Sequence, residues 1–516
     1  SLSVLKARFE RLGNRQCQAQ VNYAAIRAAG RLPYKYGQRK NTPLTRYRAL
    51  RRLLQSIAKK RGHTDLENLE QLVKGNKWMG RQVERYRRLQ RQALGFEAIE
   101  KRLTCAGLLR PKERHREGRL DYALVRGLQR FWRKNRLFES WGFSQTTMAY
   151  LAKTPMELNF EAFRRVLRER ILFASGIIED GSAGLVEYRD EHGRWRVAGN
   201  LTEQYLDRTL AALRVQDAES AKVFLHSQTQ SQLSHLRIAV KFPKKPAYYS
   251  PRMNLKLVID RGTVWYDYPW RSNGRRKTQR RERMPSVTLI TRYHGQDIPL
   301  VRWPTTIGGW HVETDGTSSE FMRYKNSDVG PRVIRNVIAA PVWLPPKSTP
   351  ARTLVAYRRE GRKRQWQLKT ELMGPGHLSA YGLVAGYLVT PGKGGRRDYD
   401  RGIRIHGSSN YLSITRKTAF SHGCHRMRND QVMRLFGFVL AHRAHRVEGE
   451  TPYAFRRKFQ AQGKAFKFEI KNRGFKYTLT PPLSVEVTEG KIQGRRKKPW
   501  KGRFPIPRKR RTMALN

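Results

Sequence analysis

The sequence predicts a multidomain α+β protein, with a helical amino-terminal half and a carboxy-terminal mixed β-sandwich. Three observations carry that reading. The length of 516 residues suggests two to four domains. Up to residue 236, apolar residues recur at three- and four-residue spacing among Arg, Lys and Gln. From residue 237 the pattern changes to alternating β-branched and aromatic residues bounded by Gly, Pro and Asn.

The amino-terminal 98 residues form a basic helical region. Tyr47 to Ala58 and Leu66 to Leu94 carry helical periodicity, and residues 36–46, with Gly, Pro, Asn and Thr, read as a linker. Residues 99–155 divide into three short helices. Ile99 to Leu103 begins the first and Gly107-Leu108-Leu109 ends it; Gly118 to Asp121 makes a turn. The second carries Leu124, Leu128, Phe131 and Trp132, and Gly142 precedes the third, Thr146 to Leu151. Residues 156–236 continue as a helical connector with a break at Gly181 to Asn200, its Phe and Leu residues reading as core. Within 237–490, strands are expected at Leu255–Asp267, Ser286–Tyr293, Leu300–Trp303, Thr353–Tyr357, Leu383–Val389 and Phe466–Val487, with Trp270 to Arg283 as a basic loop. Residues 491–516 are a basic tail, expected to be disordered from Gly494.

Composition narrows the partners. Lys and Arg number 105 against 41 Asp and Glu, a net charge of +64, so the chain binds polyanions non-specifically. Nucleic acid, an anionic membrane face and the charged polymers of a bacterial envelope all fit, and charge alone does not choose among them. No stretch is long and apolar enough to span a bilayer, and the first residues, Ser1 to Lys6, hold no apolar signal core. Three cysteines do not make a disulfide framework. With Cys424 set aside for chemistry, Cys17 and Cys105 remain as one bridge or two buried thiols, the second being the preferred reading.

The chemistry concentrates in Gly402 to Leu440. In Ser421-His422-Gly423-Cys424-His425-Arg426-Met427 a cysteine stands between two histidines and beside a glycine. A thiol is only a few per cent thiolate at neutral pH and needs a base or cation to attack well. His406, in Arg404 to Ser409, ends a strand-like run that brings an imidazole toward that thiol. Asn429 and Asp430 read as caps of an apolar helix running through Val432, Met433, Leu435, Phe436, Val439 and Leu440, so the thiol is expected on a loop feeding that helix. Gly423 permits a sharp turn and close approach of an acyl group. A zinc site on His406, His422, Cys424 and His425 is the weaker reading, because the adjacent ligands converge poorly on one ion. Nucleic-acid binding competes on charge, but no helix-turn-helix, zinc finger or RNA-recognition signature is present.

His406, fourteen intervening residues and then Ser-His-Gly-Cys with Arg426-Met427 resemble the L,D-transpeptidases (YkuD-type catalytic domains), cysteine enzymes that cross-link bacterial peptidoglycan. The resemblance extends through Ala340 to Pro346 and Gly374-Pro375-Gly376, and the three short helices of 99–155 resemble a peptidoglycan-binding repeat. It implies a mixed β-sandwich of the L,D-transpeptidase type over 237–490. It also implies a cysteinyl thioester route that joins third-position residues of stem peptides, with an L,D-carboxypeptidase or exchange enzyme as the alternative. Cys424 is then the nucleophile and His406 the base, its second ring nitrogen held by a backbone carbonyl, a geometry that would support a thiolate–imidazolium pair. His422 assists, and the backbone of Gly423 and Cys424 forms the oxyanion hole. Arg426, Ser408, Ser421 and Tyr381 contact substrate, with Ser409 and Tyr387 lining the cleft; His425, His442 and His445 are structural. The implied partners are stem peptides and glycan strands, with a carbapenem as covalent inhibitor and no metal or cofactor. The implied location is the bacterial cell envelope, periplasm or cell wall.

Overall fold

A computed structural model describes residues 2–11, 15–32, 42–62, 66, 73, 76–110, 113–137, 142–271, 275, 277–314, 320–361, 363–392, 394, 396–411, 414 and 420–501. The chain is α+β and divides into two compact units, residues 1–170 with 206–241, and residues 171–205 with 242–516.

Helices of the first unit begin where the sequence supplies a cap. Thr42 forms a capping box with Thr45 ahead of Pro43–Lys60, so residues 42–46 of the expected linker are a cap and a first helical turn; 36–41 lie outside the described residues. Asn76, Asp121 and Ser144 each accept a backbone N–H at the start of Lys77–Cys105, Tyr122–Lys134 and Gln145–Leu151. The break expected before Ile99 is absent: Lys77–Cys105 is one helix across it. Gly95, the one breaker candidate there, is glycine because a Cβ would lie 2.3 Å from that of Ala29. Its buried face, Met79, Val83, Tyr86, Leu89, Ala93 and Phe96, keeps a three- to four-residue spacing. At its end, Glu100 is buried but met by His115 Nε2 at 2.9 Å and by the Gly118 N–H at 3.0 Å. Cys17 and Cys105 are joined in a disulfide, which replaces the preferred reading of two buried thiols. Two facts of tertiary packing decide it: helix Arg15–Ala19 packs against Lys77–Cys105, and the Cα atoms lie 5.5 Å apart.

The second unit is built on a nine-stranded sheet. We number its strands β1 Leu255–Asp260, β2 Ser286–Tyr293, β3 Gln296–Pro304, β4 Gly330–Ala339, β5 Val384–Val389, β6 Arg404–Ser408, β7 His425–Arg428, β8 His445–Ala461 and β9 Lys464–Thr488. Their order is β7-β6-β5-β4-β9-β1-β2-β3, with β8 also paired to β9. The β6–β7 and β9–β1 pairs are parallel and the others antiparallel. Strand β1 shows why it forms: Leu255, Leu257 and Ile259 are buried and the residues between them half-buried, the period of a sheet over a core. That core continues through Leu289, Val301, Ile334, Ile405, Met427, Phe436 and Leu483. The expected strand Leu255–Asp267 is two, because the chain turns at Gly262 (φ +60°), where a Cβ would meet the Arg283 carbonyl at 2.4 Å. Strand β4, central to the sheet, was not expected.

Two further expectations change. The break at Gly181 to Asn200 holds a hairpin, Val186–Arg189 with Trp195–Ala198. Part of the basic tail is ordered by pairing: Trp500–Lys501 joins Glu320–Tyr324, and Tyr268 packs on Trp500 and donates to the Lys498 carbonyl. Residues 502–516 lie outside the described residues. No helix among the described residues is long and apolar enough to cross a membrane.

The disulfide links residues 88 apart, and a loop of that length is expected to add about 4–5 kcal/mol by restricting the unfolded chain. Melting curves with and without a phosphine reductant should therefore separate by several degrees, and Cys17→Ser should show the lower transition without reductant. Coincident curves would refute the contribution.

Candidate active site

The site sits where β6 and β7 run parallel at the sheet edge. His406 pairs with Arg426 and Ser408 with Arg428, while Ala385 of β5 pairs with His406 and Tyr387 with Arg404. Alternation along a strand therefore puts Arg404, His406, Ser408 and Arg426 on one face. Ile405, Gly407, His425 and Met427 take the other, toward the helix Asn429–Ala441. Extending the register puts Cys424 level with Arg404, on the His406 face. The thiol does not feed the helix directly, since strand β7 lies between. Nor is Asn429 its cap. The cap residue is Arg428, whose side chain makes no capping bond and pairs with Asp430 instead, and Asn429 is spent accepting the Leu383 N–H (3.1 Å) and donating to the His377 carbonyl (3.2 Å).

The cysteine turn is clamped from several sides. Thr306 Oγ1 donates to the Cys424 carbonyl (3.1 Å) and accepts from the Arg426 N–H (3.1 Å), while Thr305 Oγ1 donates to the Arg426 carbonyl (3.0 Å). Buried Ser327 donates to the Gly423 carbonyl at 2.8 Å. Gly423 has φ +109°, and a Cβ there would stand 2.7 Å from the Asn326 carbonyl oxygen, so only glycine fits without strain. Ser421 is fully buried; its hydroxyl donates to the Cys424 carbonyl and accepts the Gly423 N–H. That corrects two expectations. Ser421 braces the turn rather than meeting substrate, and the Gly423 N–H is engaged by Ser421 rather than free for an oxyanion.

Cys424 is partly exposed, and its thiol donates to the Gly402 carbonyl at 3.7 Å. Burial pushes its pKa up, opposed by the Arg404 backbone N–H and the Arg426 and Arg404 charges. His406 is buried; its Nδ1–H donates to the Gly407 carbonyl at 2.6 Å, which leaves Nε2 as the basic nitrogen. Burial and then the Arg426 charge push His406 down to about 3. A raised thiol and a depressed imidazole leave each group neutral, where a thiolate–imidazolium pair was expected. The Tyr381 ring lies 4.8 Å from that of His406, and its pKa is pushed up by burial first and then by Cys424. Arg426 approaches Cys424 and Tyr381 electrostatically, and its Nε is buried without a hydrogen-bond partner.

The other expected residues separate. The His422 ring is exposed and stacks on His311, centroids 3.9 Å apart; desolvation on that side and the Arg426 charge hold it down at about 4. Ser408 is buried and accepts the Asn410 N–H at 3.2 Å, and Ser409 is exposed. Tyr387 lies under the Arg404 guanidinium at 3.8 Å and accepts from Arg473 at 3.3 Å. His425 faces the core, its Nδ1–H donating to the Thr306 carbonyl at 3.2 Å. His442 Nδ1–H donates to the Ser250 carbonyl at 2.8 Å and His445 is exposed. No three His, Cys, Asp or Glu side chains among the described residues converge as metal ligands.

Several site residues were missed from sequence: Thr305, Thr306, Ser327, His311, and Arg404, whose guanidinium forms a two-pronged pair with Asp400 (2.6 and 2.7 Å). Asp400 and Arg404 stand four apart, and the Thr305-Thr306-Ile307-Gly308 run was visible, but neither signals proximity to a cysteine more than a hundred residues from the threonines. Gly308 has a clear reason, since a Cβ would overlap the Lys325 carbonyl.

Residues 284–452, which include His406 and Cys424, match the family model of the YkuD L,D-transpeptidase catalytic domain. No curated protein and no solved structure matches the chain. The matched segment indicates a transpeptidase-type enzyme with a peptidoglycan-related role.

Two measurements test the electrostatics. With Cys17 and Cys105 paired, Cys424 is the free thiol, and its alkylation by iodoacetamide should still be rising with pH where an ordinary thiol, of pKa about 8.5, has levelled off; a rate plateau below pH 7 would contradict the raised thiol. His406 and His425, held at about 3 and about 4, stay neutral when folded but take up protons near pH 6.5 when unfolded. Stability is thus fully present above pH 6.5 and falls as pH drops toward 4, by about 1.4 kcal/mol per pH unit for each histidine. Urea melts from pH 6 to 5 should show that slope, and His425→Gln should remove its share.

Proposed function

We propose that this protein is a peptidoglycan L,D-transpeptidase, forming cross-links between third-position residues of stem peptides through a thioester on Cys424. The observation that carries this reading is the parallel register of β6 and β7, which brings His406 and the cysteine turn to one face within the matched segment. The neutral pair supports a concerted route. As Cys424 Sγ attacks the third-residue carbonyl of a tetrapeptide stem, its proton passes to His406 Nε2. The C–N bond to the terminal D-alanine breaks, and the proton returns on the leaving amine. A side-chain amine of a second stem then attacks the thioester and gives a proton to His406 Nε2; the C–S bond breaks as the new amide forms, and the sulfur takes that proton from His406. The backbone N–H of Cys424 is the remaining oxyanion donor of the expected pair, with Arg426 adding positive charge and Tyr381 and Arg426 meeting the substrate. The Arg426 Nε, buried without a partner, favours a carboxylate ligand.

In this reading the second unit is the family's mixed β-sandwich, and the basic helical region, with its peptidoglycan-binding-like helices, holds the enzyme on glycan strands. The Cys17–Cys105 disulfide supports an oxidising compartment, consistent with the cell envelope.

Incubation with a disaccharide-tetrapeptide should give a cross-linked dimer by mass spectrometry, abolished by Cys424→Ala and slowed about 10²–10⁴-fold by His406→Gln. Tripeptide without dimer would favour the L,D-carboxypeptidase, and an adduct of a carbapenem on any residue but Cys424 would reject the nucleophile.

A further inference from the structure

The second unit carries another concavity, outside the cysteine turn. A cavity of about 650 Å³ lies between residues 347–352 and 456–462, with Thr314 and Glu320 in its wall. Five cations line it, Lys347, Arg352, Arg456, Arg457 and Lys458, against one carboxylate, Glu320. Three are already committed. Arg352 forms a two-pronged pair with Glu320 (2.8 Å each) and Arg456 pairs with Glu469 (3.2 Å). Arg457 donates to the carbonyls of Pro345, Pro346, Lys347 and Thr349, tying strand to loop. Lys347 and Lys458 are exposed and form no ion pair among the described residues.

Strand geometry identifies the occupant. Side chains alternate faces along β8, yet consecutive residues from 456 onward all line the cavity, so it runs along the edge of the strand. Among the described residues β8 pairs only with β9, and its outer edge presents N–H and C=O groups to whatever lies in the groove. The edge is held firm, since Phe455, Phe459, Phe468 and Ile470 pack with Val342 and Leu354 in a cluster of their own. Cations alone would accept any polyanion; a free strand edge beside them selects an extended peptide. Thr314 ends the strand Trp310–Thr314, so this wall of the groove starts about 10 Å, at an ordinary strand rise, from His311, whose ring stacks on His422. Residues 456–462 also lie beyond the segment matched by the family model.

We propose that this groove docks an extended, carboxylate-bearing peptide along the outer edge of β8, its carboxylates meeting Lys347 and Lys458. The proposal stands on the groove and does not need the cysteine chemistry. It is tested by fluorescence anisotropy with a labelled Glu-Ala-Glu-Ala-Glu-Ala peptide at physiological salt, using the full chain. Because the chain is so basic, the decisive comparison is between two charge-matched variants. Lys347→Glu with Lys458→Glu should weaken binding at least tenfold. Lys77→Glu with Arg81→Glu, on an exposed face of the other unit, should weaken it less than threefold. The Gln-Ala analogue should bind at least tenfold more weakly than the Glu-Ala peptide. Equal losses in the two variants, or equal binding of the Gln-Ala peptide, would overturn the proposal. Tighter binding of a thymidine hexanucleotide, lost in the groove variant alone, would also overturn it, assigning the groove to nucleic acid. Thiol alkylation of Cys424 reports separately on the cysteine site and should not differ between the groove variant and wild type.

Discussion

The parallel pairing of β6 with β7 is the constraint on which the site depends. A parallel pair needs a crossover, and here the crossover carries the chain from Ser408 through Ser421 to the cysteine turn. The turn must then be fixed from outside the pair, because a loop at a sheet edge has few neighbours of its own. Thr305, Thr306 and Ser327 supply that fixing through carbonyl and N–H groups of residues 423–426. Phe420–Ser421 adds a short parallel pairing with Ile307–Gly308. Hydrogen bonds between side-chain hydroxyls and the backbone of the turn thus set the position of the sulfur.

Burial and charge pull against each other around that sulfur. Arg404 and Arg426 favour a thiolate, yet desolvation wins and leaves the thiol protonated; the same two cations, added to burial, keep His406 neutral. A site so arranged keeps both groups neutral at rest. The Nδ1–H bond to the Gly407 carbonyl matters for this, because it fixes the tautomer with Nε2 free.

Outside the matched segment the chain adds its own features. The β8–β9 hairpin runs on past residue 452 and builds an aromatic satellite core, and the last strand residues, Trp500–Lys501, close onto Glu320–Tyr324. These additions place cations beside a sheet edge, so the strong basic character is concentrated there in a shaped surface as well as spread over helices.

Local rules determined much from the sequence alone. Caps such as Asp121 and Ser144, the alternation of Leu255, Leu257 and Ile259, and the glycine at 423 are short-range matters of hydrogen bonding, period and φ, and they are written in neighbouring residues. The resemblance implied that His406 and the Ser-His-Gly-Cys block meet, and the structure sets β6, which holds His406, beside β7, which follows the block. What only the tertiary structure decided is everything that depends on distant segments meeting. That includes the Cys17–Cys105 bond, the threonine clamp, the diversion of Ser421 and Asn429 to bracing, and strand β4 at the centre of the sheet. A side chain's hydrogen-bond partner and degree of burial follow from where the whole chain closes on itself, and no local window of sequence contains that information.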